Sequence, residues 1–234
     1  MAHDQGVSTS AAHPRFELPK IFGAYGPKPV WRGRLHQIAF IASIPAGLWL
    51  LAGAKTTAAQ VAVAVYWASL AGLFGTSASY HLFAHSPTAV KWMRKLDHSM
   101  IFVLIAGSYT PFCLVVLPRA WGIPMLVVTW VTALAGIIIK MVRITTENGE
   151  AGSWLYIVLG WGSLITLPKL LSELGYARMS LLVIGGVLYT GGAVILAKRR
   201  PDPRPAVFGY HEVWHALTIA ASACHFALVA MVIH

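Results

Sequence analysis

Seven long apolar runs constrain the fold of this chain more than any other feature. They cover residues 35–54, 58–85, 98–117, 121–143, 154–174, 179–197 and 211–233. A helix of about 20 apolar residues crosses about 30 Å of hydrocarbon, and in lipid a single segment must satisfy its own backbone hydrogen bonds. The sequence therefore predicts an all-α membrane protein, a bundle of seven transmembrane helices.

The composition supports a membrane protein and argues against a nucleic-acid-binding domain. Apolar residues make up 57% of the chain and charged residues only 11%, whereas about a quarter of the residues in a soluble domain are charged. The net charge of +10 could suggest nucleic acid. However, the basic residues lie in short connections between apolar runs, where they set membrane orientation. We therefore expect membrane lipids, and not nucleic acid, as partners.

The uneven distribution of basic residues predicts the orientation. Of the 18 Lys and Arg residues, all but four fall in the N-terminal tail or in connections on the same side of the membrane. The four on the other side are Lys55, Arg119, Lys169 and Arg178. By the positive-inside rule, the N-terminus is cytoplasmic and the C-terminus is outside.

The N-terminal region differs in composition from the rest of the chain. Residues 1–34 contain Pro, Gly, Ser and His without an apolar period, which predicts a largely disordered cytoplasmic tail. Residues 35–234 are expected to form the transmembrane domain. Residues 52–54 resemble a signal-peptidase site, but the preceding run is longer than the roughly 7–15 residues of a signal sequence. We therefore expect no cleavage and a protein that stays in the cell membrane.

A polar seam runs along the last apolar segment. The seam consists of His211, His215, Thr218, Ser222 and His225. On a helix these residues share one stripe, which must face protein or a water-filled cavity. Histidines one turn apart, such as His211 and His215, can offer two nitrogen ligands to a transition metal. His225 lies ten residues beyond His215, about 15 Å along the helix. It is therefore too far away to bind the same metal.

The predicted topology gathers further polar residues at the same depth. The candidates for a third ligand are His36, His81, His85 and His98, and residue types alone do not choose among them. Ser77 precedes His81 by one helical turn and shares its face. Asp97 is a functional candidate because a buried carboxylate is costly unless it is paired or coordinated; alternatively, it caps the start of the third helix.

Four motifs together resemble the hemolysin III branch of the progestin and adipoQ receptor family, over about residues 30–233. They are Ser77-x-x-x-His81, Asp97-His98, the segment from Ala106 to Phe112, and the segment from Gly209 to His215. The resemblance implies zinc bound by His81, His211 and His215 near the cytoplasmic face. It also implies a water as fourth ligand, with Ser77 and Asp97 around it, while His85 and His98 lie near the site or at the interface.

The first helix departs from the family pattern. Many members carry Glu-x-x-Asn-x-x-x-His at this position, where this chain has Pro29, Arg32 and His36. Only the histidine of that motif remains, so the family gives no role to the two positions before it.

Three imidazoles and a water form the open arrangement of catalytic zinc, and the resemblance includes the ceramidase activity ascribed to adiponectin receptors. The function we predict is zinc-dependent hydrolysis of a lipid amide, in which Asp97 and Ser77 handle the zinc-bound water. Two alternatives stay open. The protein is a receptor or sensor with a structural zinc, or it is a membrane-damaging cytolysin, although seven apolar spans without an export signal fit a resident membrane protein better.

Overall fold

The computed structural model describes residues 28–143 and 154–234. Its α-helices are α1 (Arg34–Gly53), α2 (Thr57–Phe83), α3 (Pro87–Pro111), α4 (Arg119–Arg143), α5 (Trp154–Trp161), α6 (Leu167–Lys198) and α7 (Tyr210–Ile233). A π-helical turn, Phe112–Val116, extends α3, and a 3-10 turn, Gly162–Thr166, joins α5 to α6. These residues form helices and no sheet, which confirms the all-α prediction. Most of the predicted tail lies outside the described residues.

Six helical stretches in the described part of the chain are long and apolar enough to cross a membrane. Five of them correspond one to one to predicted runs, namely the first four and the last. The remaining stretch, Trp154–Lys198, is 45 residues long and contains both the fifth and the sixth predicted runs. Gly175 interrupts it with φ 72° and ψ 171°, which are not helical angles. The chain is thus a multi-pass membrane protein.

The third helix begins earlier than its apolar pattern indicates. The apolar run starts at residue 98, but α3 starts at Pro87. The Ser86 side chain accepts a hydrogen bond from the Ala89 N–H at 3.1 Å, and Pro is favoured in the first helical turn. Asp97 therefore lies within α3, and the alternative that it caps this helix is wrong.

Helices α6 and α7 pack closely through two glycines. A side chain at Gly185 would overlap the Nε2 atom of His225, and one at Gly192 would lie 2.9 Å from an indole carbon on α7. Small residues allow such close approach between membrane helices. The neighbouring Gly186 and Gly191 face open space. Among these four glycines, Gly185 and Gly192 therefore allow the close approach of the two helices.

The residues just before α1 are tied to the connection that leads into α7. The Val30 N–H donates to the Ala206 carbonyl at 3.2 Å, and the Trp31 N–H donates to the Val207 carbonyl at 3.1 Å. These bonds hold the start of α1 beside the start of α7, where α2 ends. We call this the histidine end of the bundle, because His36, His81, His211 and His215 all lie there.

Candidate metal centre and the cavity beside it

Three histidines from two helices converge at the histidine end. His81 comes from the last turns of α2, while His211 and His215 come from the first turns of α7. Their candidate ligand atoms all lie within 4.8 Å of one another, and the Nε2 atoms of His211 and His81 are 3.3 Å apart. Zinc–nitrogen bonds of about 2.0–2.1 Å in a tetrahedron place two ligand nitrogens about 3.3–3.4 Å apart. The triad is therefore close enough to hold one metal ion.

The surroundings of His215 also fit a metal ligand. Its residue surface is 1% exposed, and neither ring nitrogen has a hydrogen-bond partner among the described residues. Leaving a buried polar atom unsatisfied costs about 1–3 kcal/mol, and binding a metal would engage one of the two nitrogens. Imidazole donors suit zinc, copper, iron and nickel. The donor set thus fits a transition metal.

His36 packs directly against the triad from α1. Its ring stacks on the ring of His215, with centroids 3.8 Å apart and an angle of 14° between the planes. His36 is also buried. Its stacking fixes the orientation of the His215 ring, which decides where the ligand nitrogens point. His36 is one of the four candidates for the third ligand by residue type, but the structure brings His81, the residue that the family resemblance implies, together with His211 and His215.

Two further contacts tie the segment just before α1 to the helices that carry the triad. The buried Glu212, 0% exposed, forms an ion pair with Arg32 and also accepts the Gly209 N–H at 2.8 Å. The Lys28 ammonium donates to the His81 carbonyl at 3.2 Å. Burial and the neighbouring Arg32 guanidinium lower the pKa of Lys28 below its usual range. The segment just before α1 therefore contacts His81 on α2 and Glu212, which lies between the two triad histidines, on α7.

Neither Arg32 nor Glu212 is predicted from the sequence to take part in the site. Arg32 contributes to the charge that sets orientation and replaces a residue of the family pattern before α1, and Glu212 lies in the segment from Gly209 to His215. A usable signal did exist, because a carboxylate between two histidines on an apolar helix needs a buried partner. The sequence could not indicate which of many basic residues that partner would be.

Ser77 and Asp97 lie together, as their motifs suggested. Both are buried, and the Ser77 hydroxyl is within hydrogen-bonding reach of the Asp97 carboxyl. Ser77 is on α2, one turn before His81, while Asp97 is on α3. Both line a cavity that His36 also lines. Because His36 stacks on His215, this cavity reaches the immediate neighbourhood of the triad.

The cavity has a volume of about 530 Å³ and is walled mainly by α3, α5, α6 and α7. Most lining residues are apolar, and none of those described is Lys or Arg. Ligand pockets typically have volumes of about 300–1,000 Å³ and few polar groups. Several lining residues are exposed on the outer surface of the bundle, among them Trp154, Ile157 and Leu164. The cavity can thus accept an apolar chain.

The remaining histidines singled out from the sequence lie outside the triad. His98 lines the cavity, and its carbonyl accepts a hydrogen bond from the Tyr156 hydroxyl at 2.9 Å. His85 is exposed beyond the end of α2. His225 lines the cavity farther along α7. The polar seam of α7 faces the interior as predicted, because His215, Thr218, Ser222 and His225 are all buried.

Comparison with known proteins places these features in a family. A family model described as haemolysin-III related matches residues 25–226. A protein of Bacillus cereus named Hemolysin-3 is 35% identical over 198 residues, which cover 83% of this chain and 86% of the relative. The Hemolysin-3 homolog of Bacillus subtilis (strain 168) is 32% identical over 198 residues, which cover 83% of this chain and 89% of the relative. The chain therefore belongs to the haemolysin III family.

Proposed function

We propose that the protein is a zinc-dependent hydrolase that cleaves the amide bond of a membrane lipid. The observation that carries the proposal is an apolar cavity that is lined by Ser77, by Asp97 and by His36, whose ring stacks on His215 of the triad. Ser77 and Asp97 are the two polar residues expected to act on water. An apolar lipid chain would occupy the cavity, and its amide carbonyl would lie beside these residues.

In this proposal each residue has a defined part in the chemistry. A zinc ion held by His81, His211 and His215 would supply Lewis-acid polarisation and a water of lowered pKa. The carboxylate of Asp97 accepts a proton from the attacking water and delivers it to the departing amine. The Ser77 hydroxyl, within reach of that carboxyl, orients it. The C–N bond breaks, a C–O bond forms, and a fatty acid and an amine leave.

Hydrolysis is tested with purified full-length protein in lipid nanodiscs. Fatty-acid release from ceramides and related amides should require metal and should stop on treatment with a chelator. Asp97→Asn should reduce the rate by about 100- to 10,000-fold, the usual contribution of general acid–base catalysis. The exposed His85 serves as the control, and His85→Ala should leave the rate unchanged. Release that survives both zinc removal and Asp97→Asn rules out the mechanism.

Two other functions have support of their own. A structural zinc in a receptor or sensor is favoured by the way α1, α2 and α7 meet at the triad. Membrane damage is favoured by the name Hemolysin-3 carried by the Bacillus cereus relative. Zinc-bound protein that hydrolyses nothing across a broad lipid panel supports the receptor, whereas lysis of erythrocytes by the purified protein supports the cytolysin.

We also propose seven membrane crossings in the cell membrane, with the triad near the cytoplasmic face. The stretch Trp154–Lys198 is 45 residues long, about 68 Å as one straight helix, roughly twice the thickness of the hydrocarbon. Gly175 breaks its helical geometry and divides it into two segments long enough to cross. Reporter fusions should place the N-terminus inside and the C-terminus outside, and two termini on the same side would contradict seven crossings.

A further inference from the structure

Backbone hydrogen bonds join two basic segments of the chain at the histidine end. The Arg34 N–H donates to the Trp31 carbonyl at 3.1 Å. The Trp31 N–H in turn donates to the Val207 carbonyl at 3.1 Å, and the Val207 N–H donates to the Arg204 carbonyl at 2.8 Å. These bonds follow one another and hold the backbone of Arg34 beside that of Arg204. We call residues 30–34 together with residues 198–207 the basic clip.

The basic clip carries more positive than negative charge on its surface. Arg34, Arg200 and Arg204 are exposed, and none of them forms an ion pair with a carboxylate in the described part of the chain. The one exposed carboxylate of the clip, Asp202, accepts the Tyr210 N–H at 2.9 Å. Guanidinium groups bind phosphate through paired, charge-assisted hydrogen bonds. The clip can therefore bind an anion.

Apolar side chains are exposed in the same clip. Val30, Trp31 and Val207 are 53%, 38% and 39% exposed. The clip lies just outside the spanning helices, because α6 ends at Lys198 and α7 begins at Tyr210. At this depth Trp favours the boundary between lipid headgroups and hydrocarbon. A soluble phosphate compound would leave these apolar side chains uncovered, whereas the acyl chains of a lipid would cover them.

The conformation of the clip is set before anything binds. Pro201, Pro203 and Pro205 fix the backbone φ angle at every second position of the connection. The hydrogen bonds to Val30 and Trp31 restrain the same connection from the side of α1. A restrained surface loses little conformational entropy on binding. The guanidinium groups are thus presented from a backbone that is already ordered.

We propose that the basic clip binds the headgroup of an anionic membrane phospholipid. Arg34, Arg200 and Arg204 bind its phosphate, and its acyl chains lie beside the apolar side chains of the clip. A headgroup that also carries an ammonium is disfavoured, because the guanidinium groups repel it. None of these residues lines the cavity. The lipid at the clip is therefore not the proposed substrate, and this binding does not depend on the hydrolase function.

Native mass spectrometry of the full-length protein in detergent tests the proposal. Phosphatidylglycerol and phosphatidylcholine with identical acyl chains are added in turn, and the bound fraction is measured against lipid concentration. Wild-type protein should bind phosphatidylglycerol at least about tenfold more tightly, because several cations attract its net charge. This preference should weaken as the salt concentration rises, since the clip is exposed and its charges are screened.

Two double variants separate the clip from the general basic charge. Arg34→Gln with Arg204→Gln should weaken phosphatidylglycerol binding about 30-fold, because each basic residue near an anionic lipid surface contributes about fivefold. The matched control is Lys91→Gln with Arg143→Gln, which removes the same charge from exposed residues near the start of α3 and at the end of α4. The control should bind phosphatidylglycerol as wild type does.

Three results would overturn the proposal. Equal affinity of wild-type protein for the two lipids would show that the clip does not select an anion. An equal loss of affinity in both double variants would mean that the basic charge acts as a diffuse field without a site. Displacement of phosphatidylglycerol by an equal concentration of glycerol 3-phosphate would identify the occupant as a soluble phosphate ester. All four substituted residues are exposed, so both double variants should fold.

Discussion

His215 and His225 are the same residue type on the same face of the same helix, but they have different neighbours. Around His215 the ring centroids of His36, His81 and His211 lie 3.8, 5.2 and 4.6 Å away. Around His225 there are one tyrosine ring, one backbone carbonyl and an apolar cavity. Burial alone therefore does not define a metal ligand. Several donors must converge on one point, and a solitary buried imidazole is suited to a hydrogen bond.

The largest expected difference between the two histidines is in metal content. His215→Ala should lower metal affinity by more than about 100-fold, because even the outer contacts of a metal site are worth about 10- to 100-fold. His225→Ala should keep the wild-type stoichiometry. Mass spectrometry of the purified variants measures both, with His81→Ala and His211→Ala as additional ligand losses. Near-stoichiometric metal in His215→Ala would show that the triad is not the site.

The ion pair at the histidine end should contribute strongly to stability. Arg32→Ala leaves the buried carboxylate of Glu212 without its cation, which typically costs about 3–5 kcal/mol in the free energy of unfolding. The matched control is the exposed pair of Lys169 and Glu173, 3.0 Å apart and 37% exposed on each side chain. Lys169→Ala should cost at most about 1 kcal/mol.

Thermal unfolding in detergent compares the Arg32 and Lys169 variants directly. Equal melting temperatures for both would mean that the ion pair of Arg32 and Glu212 stabilises the fold no more than an exposed pair does. The predicted importance of the α1 contacts would then be wrong.

The stacking of His36 on His215 should affect metal affinity without supplying a ligand. His36→Ala removes the ring that orients His215, and we expect about a 10- to 100-fold loss of affinity. His36→Phe keeps a flat ring and should lose much less. Metal competition with a coloured chelator measures the affinities. A loss in His36→Phe as large as in His36→Ala would instead indicate that a His36 nitrogen binds the metal.

The smallest effect concerns the packing around His225. Gly185→Ala places a methyl group against the His225 ring, and overpacking of this kind costs about 1–3 kcal/mol. Gly186→Ala points into open space and should be neutral or slightly stabilising, because Ala favours the helix over Gly by about 1 kcal/mol. Thermal unfolding of the Gly185→Ala and Gly186→Ala variants tests whether the His225 ring is held against α6. Identical melting temperatures would show that it is not.

The sequence alone determined much of the local structure. Runs of apolar residues must become helices in lipid, because no water is present to satisfy the backbone, and five runs each match one helix of the structure. The seam on α7 followed from helical periodicity. The start of α3 was missed because residues 87–97 include the basic residues Lys91, Arg94 and Lys95. A helix can begin well before its apolar portion where a residue such as Ser86 caps its N-terminus.

Only the tertiary structure decided which distant residues meet. His81 and His211 are 130 positions apart, and Arg32 and Glu212 are 180 apart. Periodicity places a side chain on the face of its own helix, but the rotation and depth of one helix against another depend on packing at particular sites. By residue type, four histidines were therefore equivalent candidates for the third ligand, and only the family resemblance pointed to His81. Close approach of α1, α2 and α7 brought His81 into the triad and stacked His36 on His215.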